Sequence, residues 1–171
     1  MKTFIKIAAV GAVLALAACA RPAQDMQVQD PYAGAGGAGM GGVGAAALPG
    51  SPEYFKTAIG DTVLFAVDQS TLSPEARTQL ANQAGWLNQN QGFSAVIEGH
   101  ADEQGTREYN LALGARRASS VQEYLISQGV APGRLQKVSY GKERPLAICS
   151  TEECYSKNRR AVTALRSGAG T

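Results

Sequence analysis

"IEGHADEQGTREYN", Ile97 to Asn110, gathers Glu98, His100, Asp102, Glu103, Arg107 and Glu108 into one short stretch between two different apolar rhythms. Before it, "FSAVIEG" places Phe93, Ala95 and Ile97 on one face at period two, the rhythm of a strand. After it, Leu111, Ala115, Ala118, Val121 and Leu125 recur at helical spacing between Asn110 and Gln128, and Gly129 supplies a stop. The charged stretch is therefore a loop from a strand end into a helix, and the alternation continues on both sides. "DTVLFAV", Asp61 to Val67, reads as a strand. "LSPEARTQLANQAGWLNQN" reads as a helix, with Ser73 as N-cap, Pro74 in the first helical position and Leu80, Ala84 and Leu87 on its stripe. "RLQKVSYG" and "RRAVTALR" make the third and fourth strands. The order strand, helix, strand, helix, strand, strand predicts an α+β domain with helices packed on a single sheet.

The N-terminal third has another character. "MKTFIKIAAVGAVLALAA", residues 1–18, has a basic start at Lys2 and Lys6 and an apolar run from Ile7 to Ala18. That is a secretory signal, too short to span a membrane. It closes on "LAAC", Leu16 to Cys19, a small-residue run ending in cysteine, the pattern of a bacterial lipoprotein signal. The competing reading is an ordinary secreted protein with a chance cysteine. It is disfavoured because basic start, apolar core, small residues and cysteine all fall in register. The resemblance to such a signal implies cleavage before Cys19 and acylation of that residue; buried acyl chains contribute ~0.8 kcal/mol per CH₂ and several together anchor firmly. Ala20 follows, where lipoproteins held at the inner membrane often carry Asp, so by analogy the destination is the outer membrane. From Pro31 to Gly50, fourteen of twenty residues are Gly or Ala, with no periodic apolar face. Residues 19–52 thus form a lipidated N-terminus and disordered linker, 53–166 a folded domain, and 167–171 a disordered tail.

The signal carries two lysines and no acid, so the remaining chain holds 16 − 2 = 14 basic residues against 14 acidic ones. A neutral chain without a basic block is a poor nucleic-acid binder, and nucleic acid is not an expected partner. With Cys19 lipidated, Cys149 and Cys154 remain. A disulfide between them suits an oxidising compartment, ahead of free thiols. Metal is the weakest reading, because His100 is the chain's only histidine.

The charged loop has two chemical readings. An enzyme needs a base beside a nucleophile or an activated water, and no serine or cysteine nucleophile stands out near His100 and Asp102. No cofactor is called for. In the helix that follows, Asn110, Leu113 and Arg117 share one face at i, i+3 and i+7, which can lie against the loop. Asp102 with Arg117 would suit a zwitterion, the carboxylate taking an ammonium and the guanidinium a carboxylate in a bidentate fork. A structural Asp–Arg pair without a ligand is the alternative that chemistry alone leaves open.

The stretch from Ile97 to Leu125, with "VSYGKERP" (Val138 to Pro145), "NRRAV" (Asn158 to Val162), the lipoprotein signal and the Gly-rich linker, resembles the OmpA-like peptidoglycan-binding domain family. The resemblance runs from about Thr62 to Leu165. It implies a β-α-β-α-β-β domain on one mixed four-stranded sheet, no enzymatic activity, and a ligand in the meso-diaminopimelate peptide of peptidoglycan. It carries the family's ligand positions onto Asp102, Arg117, Asn110 and Leu113. The motif aligned with "VDQS" adds Asp68 and Ser70 as rim contacts. Departures fall at Ala66, Val67 and Gln104, and no family role is carried onto Cys149 or Cys154. The resemblance also implies a periplasmic partner, TolB, and a part in envelope constriction at division. A generic lipoprotein of the same family outside the Tol system and a cell-wall hydrolase are the alternatives.

Overall fold

The computed structural model describes residues 48–168. The expected signal segment, the Cys19 lipidation site, most of the linker and the last three residues lie outside the described residues. β1 (Thr62–Leu64) pairs antiparallel with β4 (Arg160–Ser167), β4 pairs antiparallel with β2 (Phe93–His100), and β2 pairs parallel with β3 (Leu135–Gly141). The result is one mixed four-stranded sheet in the order β1-β4-β2-β3. A parallel β2–β3 pair needs a crossover, and α3 (Arg107–Ser127) supplies it. α2 (Pro74–Gln89) starts where Ser73 Oγ accepts the Ala76 N–H, with Pro74 in the first turn. Leu80, Ala84 and Leu87 of α2 and Ala118, Val121 and Leu125 of α3 meet Val63, Ala95, Ile97 and Ala161 of the sheet in one buried cluster.

Five details differ from the sequence expectations. α3 begins at Arg107, because Thr106 Oγ1 accepts the Tyr109 N–H and caps it three residues earlier. Its buried face is Asn110, Leu113, Gly114, Arg117, Ala118, Val121 and Leu125, while Leu111 and Ala115 are exposed. The expected stripe was turned because a count of apolar residues passes over Asn110, Gly114 and Arg117. Gly114 is what sets the helix against the sheet. A Cβ on Gly99 would stand 1.9 Å from the Gly114 carbonyl oxygen, so backbone meets backbone there.

The first strand stops at Leu64 rather than Val67. The carbonyls of Ala66 and Gln69 accept from the Arg117 guanidinium instead of from a neighbouring strand, and Asp68 takes a left-handed φ of 55°. At the start of the domain, α1 (Pro52–Tyr54), capped by Ser51, runs into a π-helical turn, Phe55–Gly60. Phe55 is buried against Trp86, whose indole N–H donates to the Pro49 carbonyl at 2.7 Å. Between β3 and β4 a fourth helix, α4 (Glu152–Asn158), was not foreseen, and Cys149 and Cys154 are joined across its start.

Candidate functional site

The loop from Ala101 to Thr106 lies at the end of β2, between the 65–70 segment and the first turns of α3. These three segments enclose a cavity of about 220 Å³. Val67 and Asp68 line one side, Asp102, Gln104 and Gly105 the loop side, and Tyr109, Asn110 and Leu113 the helix side. The cavity takes its charge from two carboxylates at different depths. Asp68 is exposed at the rim and accepts the Tyr109 hydroxyl. That bond raises the Tyr109 phenol above its ordinary pKa. Asp102 is buried: Oδ1 accepts the Gln104 N–H at 3.3 Å, and Oδ2 accepts from Arg159 Nη1 at 3.2 Å. Asn110 is buried too, and its amide donates to the Gln104 carbonyl at 2.7 Å, tying the helix to the loop.

Behind the cavity two buried guanidinium groups hold separate positions. Arg117 is fully buried and donates Nε to Gln69 O at 2.8 Å, Nη1 to His100 O at 2.8 Å and Nη2 to Ala66 O at 3.1 Å. Its Cζ sits 5.2 Å from the Phe65 ring centroid. Burial pulls its pKa down to about 10, and the negative charges of Asp102 and Asp68 oppose that shift. The expected open fork at Arg117 is thus corrected. Its side chain does not line the cavity, and one N–H on each nitrogen is committed to backbone, of five in all. It also makes no ion pair with Asp102. That partner is Arg159, which further contacts both oxygens of Glu152 and the Phe65 carbonyl. The Glu152 carboxylate, and then Asp102, hold Arg159 above its ordinary pKa against the pull of burial.

The other expected residues fall as follows. Asn110 and Leu113 line the cavity, and so do Val67 and Gln104. Ser70 does not. It lies in a neighbouring open groove with Leu72, Arg77, Ser120 and Tyr124. His100 is buried at the end of β2, its ring 5.5 Å from that of Tyr140, with Nε2 3.8 Å from Glu98. Burial, helped by the charges of Arg160 and Arg144, pushes its pKa down to about 4. It is neutral at pH 7, and its carbonyl serves as one of the three acceptors of Arg117. Sequence reasoning missed Arg159, Glu152 and Tyr109. Only the "NRR" run pointed to Arg159, because it stands 57 positions from Asp102 in the chain. A larger hollow of about 650 Å³ lies at the far end of the sheet. Its half-buried cation, Arg134, is committed to the carbonyls of Leu87, Asn90 and Phe93, and Ser94, Gln136, Arg166 and Ser167 also line it.

Residues 64–159 match the model of the OmpA family. The chain is 51% identical over 164 residues to the peptidoglycan-associated lipoprotein of Mesorhizobium japonicum, covering 95% of this chain and 92% of that one. It is 42% identical to the peptidoglycan-associated lipoprotein of Pseudomonas aeruginosa, covering 94% and 96%. The crystal structure of the peptidoglycan-associated lipoprotein from Burkholderia pseudomallei superposes with a TM-score of 0.64 at 32% identity, over 68% of this chain and all of that one. The C-terminal domain of Helicobacter pylori MotB shares the fold, with a TM-score of 0.59 at 23% identity over 64% and 86%.

Proposed function

The chain belongs to the OmpA family, in company with peptidoglycan-associated lipoproteins, and from that premise we propose that the cavity at the end of β2 binds the diaminopimelate-containing peptide of peptidoglycan without covalent chemistry. The observation that carries this reading is the pairing of a buried acceptor, Asp102, with a rim carboxylate, Asp68, in front of two buried guanidinium groups. An ammonium settles between the carboxylates. A carboxylate on the same ligand is drawn by the fixed positive charge of Arg117 and Arg159 behind the wall. Asn110 and Gln104 shape the loop, and Leu113 and Val67 supply apolar contact to the methylene chain between the two charges. Arg117 enters as a support of that geometry and source of charge, and Ser70 has no direct part.

The protein is a binding protein, not an enzyme. With acyl chains on Cys19, the linker would let the domain reach the wall from the outer membrane, tethering one to the other within the Tol–Pal system, with TolB as competing periplasmic partner. No helix among the described residues is long and apolar enough to cross a membrane. The test is co-sedimentation of purified protein with isolated sacculi, with soluble muropeptide release followed in parallel. Sedimentation without release supports the reading. Release of muropeptides, or no sedimentation, overturns it.

A further inference from the structure

The two ends of α4 are held in different ways. At its C-terminal end Asn158 is fully buried; its Oδ1 accepts the N–H groups of Leu146 at 2.8 Å and Ala147 at 3.0 Å, and its Nδ2 donates to the Ala147 carbonyl at 2.8 Å. At the N-terminal end Glu152 and Glu153 are exposed, and Thr151 makes no side-chain cap. That end is secured by the Cys149–Cys154 bridge, whose short span contains Glu152. Glu152 holds Arg159 from the solvent side, and the same Arg159 Nη1 that reaches Glu152 Oε2 at 3.3 Å donates to Asp102 Oδ2 at 3.2 Å on the cavity side. One guanidinium is therefore shared between an exposed carboxylate on the bridged turn and the buried carboxylate of the cavity.

We propose that Glu152 is a positioning residue for Asp102, acting through Arg159, and that the Cys149–Cys154 bridge keeps it in that role. The proposal rests on the reading of the cavity as a peptidoglycan site. Two effects act in the same direction. Glu152 offsets the charge of Arg159, so Asp102 keeps its attraction for an ammonium. Clamping the guanidinium between two carboxylates also fixes the orientation of Asp102. Reduction by a dithiol breaks the Sγ–Sγ bond, leaves thiols on Cys149 and Cys154 and a disulfide on the donor. It frees the turn that carries Glu152 while Asn158 still pins the other end of the helix.

The test uses the full-length chain in detergent and a purified diaminopimelate-containing muropeptide. Three variants are compared with the wild type: Glu152→Gln, the pair Cys149→Ser with Cys154→Ser, and the combination. Each of the first two should weaken binding about threefold, as expected for a partly solvated pair. The combination should be no weaker than Glu152→Gln alone, and thermal midpoints should not track the losses. The loss in Glu152→Gln should shrink at high salt. The Gln104 amide, which donates to Asp102 Oδ1, should exchange faster with solvent in all three variants, and this readout needs no ligand. Binding by the cysteine pair equal to wild type, losses that multiply in the combination, or unchanged Gln104 exchange would each overturn the proposal. A wild type that binds no muropeptide overturns the peptidoglycan reading instead, and the Gln104 exchange still decides the role of Glu152.

Discussion

At the scale of single residues, the two charged groups singled out in the sequence divide into a cavity group and a framework group. Arg117 joins the 65–70 segment, the end of β2 and α3 through three backbone carbonyls. The buried His100 carbonyl left without its donor costs about 1–3 kcal/mol, and the part-buried carbonyls of Ala66 and Gln69 each lose a bond, so Arg117→Ala should destabilise the domain by ~3 kcal/mol in urea denaturation. Arg117→Lys should recover only part of this, because one ammonium cannot reach three carbonyls in three directions. Asp102→Asn keeps an oxygen for the Gln104 N–H and removes the charge. It should leave the fold intact and weaken sacculus binding by ~2–5 kcal/mol, the usual cost of truncating a buried charged contact. Wild-type sedimentation by Asp102→Asn would move the ligand out of this cavity. His100 gives the domain a pH dependence. Its folded pKa of about 4 lies below the ordinary 6.5, so between those values the unfolded chain binds the extra proton. Stability is retained above about 6.5 and falls as pH drops toward 4, by at most ~1.4 kcal/mol per pH unit. His100→Gln should flatten that part of the stability profile measured by denaturation.

At the scale of elements, the placement of α3 decides the site, and two glycines decide the placement of α3. A Cβ on Gly99 would meet the Gly114 carbonyl at 1.9 Å, and one on Gly114 would meet the Gly99 carbonyl at 2.8 Å. These obstacles are backbone, which cannot swing aside. Gly99→Ala should therefore cost ~3 kcal/mol, the upper end for overpacking, in a thermal or urea melt. It should also lower sacculus affinity, because Asn110 and Leu113 would retreat from the loop with the helix. Gly85, in α2, has open space around the same added atom. Gly85→Ala should be neutral or slightly stabilising in the same melt.

At the scale of the whole molecule, the proposal needs a domain that can reach the wall from a lipid anchor. Read as a tether, the 33 residues from Ala20 to Pro52 would reach at most ~110 Å when taut. On the proposed reading of this segment as a passive tether, replacing Ala33 to Ala47 with Gly/Ser of equal length should leave wall tethering unchanged. Deleting those residues leaves at most ~60 Å taut, lowers the effective concentration of the domain at the wall and should increase vesicle shedding. A failed swap beside a working deletion would make the segment a recognition element.

How much could be read without coordinates follows from how local each cause is. Two periodicities, a serine cap and a proline in the first turn are local, and they were enough for four strands, two main helices and the α+β class. Asp102, Asn110 and Leu113 were legible because a strand end and the next helix turn must face one another. The partnership of Asp102 with Arg159 was not, because they stand 57 positions apart in the chain and only the β2–β4 pairing brings them together. The true face of α3 stayed hidden for a related reason. Its polar members, Asn110 and Arg117, are stable in the interior only because carbonyls of other segments, Gln104 for one and Ala66, Gln69 and His100 for the other, accept their hydrogen bonds. Residue type carries hydrophobicity and propensity along the chain. Which buried polar group finds which acceptor is a property of the packed fold.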